Sequence, residues 1–183
     1  MKKRMISLII TAAMILSLLP TGVLAARDDP WMCISLPEMG LVECGEIMEG
    51  AEFPEGLSYS YDASRDVHVL TMEDMYLTES LAIDGQWDAE LKGKIEIVLK
   101  GTNVIDTRER DYGEFHNILM INSMDASIIS GSEGASLSLV GYDCSGICSH
   151  NGVLTIDGAK ISTDCKINAH SEGGQAFSAV LTM

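Results

Sequence analysis

Basic residues, aromatics and prolines are all scarce in this chain. Against 27 Asp and Glu stand 12 Lys and Arg, a formal net charge of −15 at pH 7. Nucleic acid is held by clustered Lys and Arg that displace counterions, so this balance argues against it as a partner and repels anionic lipid. Aromatics make up 5% of the residues, which leaves a handful of faces on which a sugar ring could stack. All four prolines, Pro20, Pro30, Pro37 and Pro54, fall in the first third of the chain. After residue 25 no apolar run approaches the length of a membrane span. There is no Gly-rich phosphate loop, and Ser145 in Asp143-Cys144-Ser145-Gly146 lacks the flanking glycines of a nucleophile elbow. Amphipathic helical runs are missing beyond Val67, which turns attention to strands.

The start of the chain has the makeup of an export signal. Lys2, Lys3 and Arg4 precede the apolar stretch Met5 to Leu19, and Val23-Leu24-Ala25 offers a small-residue cleavage pattern. Residues 1–25 are therefore expected to be removed, leaving a secreted or cell-surface chain with no membrane span and an acidic surface suited to solubility. Residues 26–66, broken by Pro30, Pro37, Pro54 and several glycines, are expected to form an irregular N-terminal cap. Residues 67–183 carry the regular pattern.

In that region Met72, Leu99, Ile129, Ile156 and Met183 recur at intervals of 27, 30, 27 and 27 residues. Two positions upstream of them stand Leu70, Ile97, Ser127, Leu154 and Leu181, and Gly101, Gly131 and Gly158 follow two positions after the middle three. Apolar residues two apart are the mark of short strands with one buried face. A fixed period in the twenties fits strands stacked rung upon rung, because each rung must bury its apolar face against the next. The expected fold is all-β, a right-handed parallel β-helix of about five rungs with the anchors facing inward. Ser127 is an imperfection among those inward positions. Met183 ends the chain in mid-strand, so a C-terminal truncation of a longer stack is expected. The extra three residues between Leu99 and Ile129 are expected to bulge out in the polar stretch 106–114, at a corner loop of the kind that often carries binding.

Five cysteines in an exported chain raise the question of disulfides. Cys33 and Cys44 lie close together in the irregular segment, where a local staple helps most, and are the expected pair. Cys144, Cys148 and Cys165 are odd in number and read as small buried apolar residues. The spacing of Cys144 and Cys148 alone does not supply a zinc site.

Several stretches have a family cast: Tyr59-Ser60-Tyr61-Asp62-Ala63, Val69-Leu70-Thr71-Met72, Ile97-Val98-Leu99-Lys100-Gly101-Thr102-Asn103-Val104-Ile105 and Gly152-Val153-Leu154-Thr155-Ile156-Asp157-Gly158. From about Tyr59 onward the chain resembles the pectin-lyase-like right-handed parallel β-helix modules of exported Gram-positive bacterial proteins, often labelled carbohydrate-binding. The shared residues are interior apolar positions and turn glycines, so the resemblance implies a fold and, through it, a binding role. It carries no activity, because one fold hosts many functions.

The candidate chemistry of the chain lies in its carboxylates and aromatics. Glycoside hydrolysis needs two carboxylates across a cleft, and lyase chemistry needs calcium on clustered carboxylates with a basic residue beside them. Asp62 and Asp66 with Arg65, Glu73 with Asp74, Asp84 with Asp88, and the 106–114 stretch are the carboxylate groups available. The last of these, with Asp106, Glu109, Asp111 and Glu114, is the candidate calcium site. Trp87, flanked by polar residues at a corner, and Tyr112 are the candidate sugar-stacking residues. The four histidines, His68, His116, His150 and His170, are scattered, and His150-Asn151-Gly152 reads as a turn in which glycine supplies positive φ. The role expected is a non-enzymatic binding or adhesion module for polysaccharide or another surface protein. The alternatives are a polysaccharide lyase or hydrolase and a structural spacer.

Overall fold

A computed structural model describes residues 32–36, 41–45, 48, 50–85, 93–109, 116–170 and 180–181. Within these residues the alternation of apolar and polar side chains yields sixteen strands and no helix, gathered into three sheets. The first contains, in spatial order, β15 (Lys166–His170), β12 (Cys144–His150), β9 (His116–Asn122), β6 (Leu81–Gly85), β1 (Met32–Leu36) and β2 (Leu41–Gly45). The second contains β16 (Val180–Leu181), β13 (Leu154–Asp157), β10 (Met124–Ser130), β7 (Gly93–Lys100), β4 (Val67–Glu73) and β3 (Leu57–Asp62). The third contains β14 (Lys160–Thr163), β11 (Ser136–Val140), β8 (Thr102–Asp106) and β5 (Tyr76–Leu77), all parallel.

This arrangement corrects the expectation of a single right-handed parallel β-helix with an irregular cap. Only the third sheet is wholly parallel. In the first, β1 runs antiparallel to both β2 and β6, and in the second, β3 runs antiparallel to β4. The residues between 26 and 66 that were read as irregular therefore contribute three paired strands. Gly50, Pro54 and Gly56 lie between β2 and β3, and the prolines and glycines of the stretch hid its short alternations. The short link from β3 to β4 dictates the antiparallel pairing, since a parallel pair needs a long crossover. The expected cleavage segment, residues 1–25, and Met183 lie outside the described residues.

Where side chains are described, buried residues from strands of all three sheets form one hydrophobic cluster. Leu70, Ile97 and Ile128 are fully buried in the second sheet, Leu81, Ile83, Leu119, Ile121 and Ile147 in the first, and Ile105, Leu137 and Leu139 in the third. The register corrects one anchor. Leu70 pairs with Ile97, Ile97 with Ile128, Ile128 with Ile156 and Ile156 with Leu181. Ile129 instead pairs with Val98 and Asp157 and is only partly buried. Side chains alternate with a period of two, so a one-residue slip exchanges the inner and outer sets. That slip puts Ser127 outside and removes the imperfection at its position.

Corners between the sheets need left-handed backbone, and several are made without glycine. Asp74, Ser123, Asp143 and Asn151 have φ of 49°, 54°, 49° and 54°; short polar side chains tolerate this region better than most. At His150-Asn151-Gly152 the positive φ belongs to Asn151. Gly152 is required for a different reason: a Cβ there would overlap the backbone of Met124.

Polar side chains also stitch neighbouring strands together at the corners. Asn103, fully buried, accepts from Met75 N at 3.0 Å and donates Nδ2 to Lys100 O and Ser136 O, both at 3.1 Å. Three segments in successive strands of the third sheet are thereby joined through one amide. Asp74 Oδ1 accepts from Thr102 N at 2.8 Å, and Asp125 Oδ1 accepts from Val153 N at 3.0 Å.

Candidate functional site

The third sheet, parallel throughout, presents a shallow groove of about 280 Å³ lined by Tyr76, Thr78, Asp106, Arg108, Glu109 and Tyr142. Successive strands deliver these side chains in turn. Tyr76 lies on β5, Asp106 ends β8 with Arg108 and Glu109 just beyond it, and Tyr142 follows β11. β8 pairs with β5 on one side and β11 on the other, so the groove runs across the strands. Tyr76 points outward because its neighbour Leu77 occupies the inner position of a two-residue strand. Tyr142 stands in the corner between β11 and the left-handed Asp143.

The two tyrosines are 62% and 67% exposed, and Val153 is the other exposed large apolar side chain among the described residues. An aromatic ring left in water forgoes the burial that makes it valuable elsewhere. Two such rings stand on one groove.

Between them lies a fixed ion pair. Arg108 donates Nε to Asp106 Oδ1 at 2.9 Å and Nη2 to Asp106 Oδ2 at 2.5 Å, and its backbone N–H donates to Oδ1 at 3.1 Å. Those hydrogen bonds from Arg108 hold the Asp106 carboxyl below the ordinary carboxylate range. Reciprocally, the Asp106 carboxylate raises the guanidinium's affinity for its proton, and Tyr142 and Asp164 add to this more weakly. The forked pairing satisfies planar donors and acceptors together. Glu109 is exposed and pairs with no described residue.

Of the expected site residues, Asp106 and Glu109 come together on this groove. Trp87, Tyr112, Asp111 and Glu114 lie outside the described residues. For the expected calcium site, both oxygens of Asp106 are already engaged by Arg108, and no group of three or more metal-ligating side chains gathers among the described residues. Asp88 lies outside the described residues, and other carboxylates make structural contacts. Asp62 accepts from Ser64 and Arg65 and is held down to about 2, chiefly by the Ser64 hydroxyl and then by Arg65. Asp84 accepts from Asn122 Nδ2 at 2.6 Å.

Cys33 is disulfide-bonded and stands opposite Cys44 in the β1–β2 register; the Cys44 side chain lies outside the described residues. The reading of the three later cysteines as buried thiols is corrected, since Cys144 and Cys165 are joined by a disulfide. They fall at the starts of β12 and the segment leading into β15, which pair directly from Ser145 and Lys166. Cys148 is buried and free.

Comparison of the chain with protein-family models, curated proteins and solved structures finds no match. The groove must therefore be read from its own side chains. Sequence reasoning passed over Tyr76 and Tyr142, which were visible only as two aromatics 66 positions apart. The available signal was that each sits beside a turn-forming acidic residue, Asp74 or Asp143.

Proposed function

We propose that the protein is an exported, non-enzymatic binding module for polysaccharide, using the groove between Tyr76 and Tyr142. The observation that carries this reading is the exposure of both rings on one groove with hydrogen-bonding side chains between them. Apolar ring faces suit the C–H faces of a sugar, while Thr78, the Arg108–Asp106 pair and Glu109 offer donors and acceptors for its hydroxyls. The fixed ion pair keeps the polar floor preorganised, which lowers the ordering cost of binding. The signal-like residues 1–25 support placement outside the cell.

The test is calorimetric titration of the mature chain with a panel of oligosaccharides, alongside analysis for released sugars. Binding without turnover is the expected result. Tyr76→Ala and Tyr142→Ala should each weaken it by about tenfold or more, about 1.4 kcal/mol, with circular dichroism unchanged. Unaltered affinity in both variants would remove the groove from consideration, and accumulation of cleaved product would replace the module by an enzyme.

A further inference from the structure

Resting on the saccharide-binding reading of the Tyr76–Tyr142 groove, we infer that its ligand is a glycan bearing free amino groups, a 2-amino-2-deoxy sugar polymer, rather than a polyuronate or sulfated chain. The argument is one of charge complementarity. Among the described residues the only cation lining the groove, Arg108, is already matched by the forked contact with Asp106. Its charge is thus largely spent within the protein. Glu109 lines the same groove, is exposed, and has no partner among the described residues. Asp143 is exposed next to Tyr142, and Asp164 lies close enough to act on Arg108.

A carboxylate or sulfate on the ligand would meet this acidic rim with no unpaired cation among the described lining residues to receive it. The chain as a whole, with a formal charge of −15, opposes such a ligand at longer range too. An ammonium group gains on both counts. It can pair with Glu109 while the ring to which it is attached lies on a tyrosine face, and a cation near that face is further attracted by the ring's electron density. Two chemistries needed by one amino sugar, an apolar face and a localised positive charge, are thus answered by adjacent side chains.

The test titrates the mature wild-type protein with three oligosaccharides of equal length at a pH where amines are protonated: a glucosamine oligomer, its fully N-acetylated counterpart and a galacturonic acid oligomer. The glucosamine oligomer is expected to bind at least tenfold more tightly than the acetylated one, and the galacturonate to bind weakest. The advantage should shrink as salt is raised, because an exposed charge pair is screened, and the ratio of the two affinities should fall to about one in Glu109→Gln. Equal affinity for all three, tighter binding of the galacturonate, or an undiminished preference in Glu109→Gln overturns the inference. If in those cases Tyr76→Ala still weakens binding, the saccharide groove survives without its charge selectivity. If no oligosaccharide binds the wild type, both the groove's function and its selectivity fall.

Discussion

At the scale of single residues, the most demanding position is Asn103. Its amide satisfies the buried backbone N–H of Met75, just before β5, and the carbonyl of Ser136 on β11, work that a backbone group in a regular ladder cannot do because the chain is turning there. Asn103→Leu keeps the approximate volume but strips away the acceptor for Met75 N and the donor to Ser136 O. Unsatisfied buried groups cost about 1–3 kcal/mol each, so a loss of about 3 kcal/mol is expected in urea unfolding followed by circular dichroism. A cost below about 1 kcal/mol would show that the neighbouring strands relax to restore the contacts. His68 is the second such position. It is buried, its Nδ1 lies 2.8 Å from the Tyr59 hydroxyl, and its Nε2 has no partner among the described residues. Burial lowers its pKa below the ordinary 6.5, with Asp66 opposing the shift weakly. The imidazole is thus neutral in the folded protein and charges more readily when unfolded. Its contribution to stability is complete above pH 6.5 and is lost as pH falls below that value. Urea midpoints should therefore decline between pH 7 and pH 5, and the decline should be smaller in His68→Gln. Identical slopes in the two proteins would assign the pH response to other groups.

At the scale of strands, register decides which apolar residues matter. Ile128 and Ile129 are chemically identical neighbours on β10, yet Ile128 is fully buried between Ile97 and Ile156 while Ile129 is partly exposed. Ile128→Asp places a carboxylate in the apolar cluster and should cost about 4 kcal/mol or more. Ile129→Asp should cost less than about 1 kcal/mol. Measured side by side by thermal melting, equal destabilisation would contradict the slip in register. The strand-scale clasp is the Cys144–Cys165 disulfide, spanning 21 residues and joining the starts of neighbouring segments in the first sheet. Closing a loop of that length limits the unfolded chain by about 3 kcal/mol in the chain-entropy model. Cys144→Ser with Cys165→Ser is expected to lower stability by about this amount without changing the strand content. In the native wild type, Cys148 should resist thiol reagents, since burial raises its pKa and shields it, and should react once the protein is denatured.

At the scale of the whole molecule, strand content and much of the core were legible before any coordinates. Leu70, Ile97, Leu99 and Ile156 could be assigned inward because period-two alternation is a local property of the chain. The polar stretch 106–114, where the three extra residues were expected to bulge out, is described only as far as Glu109, and Asp106 and Glu109 line the groove. Three things were not legible. Antiparallel β1, β2 and β3 were hidden among prolines and glycines. The pairing of Cys144 with Cys165 depends on which strands become neighbours. The partnership of Tyr76 with Tyr142 depends on the order of strands in the third sheet. What the sequence by itself determined is all-β character and which short stretches have one apolar face, because both follow from side chains a few residues apart. Only the tertiary structure decided the sheet directions, the register that chooses Ile128 over Ile129, and the groove. Each of these rests on contacts between residues distant in the chain, fixed only when the apolar faces of three sheets are buried together.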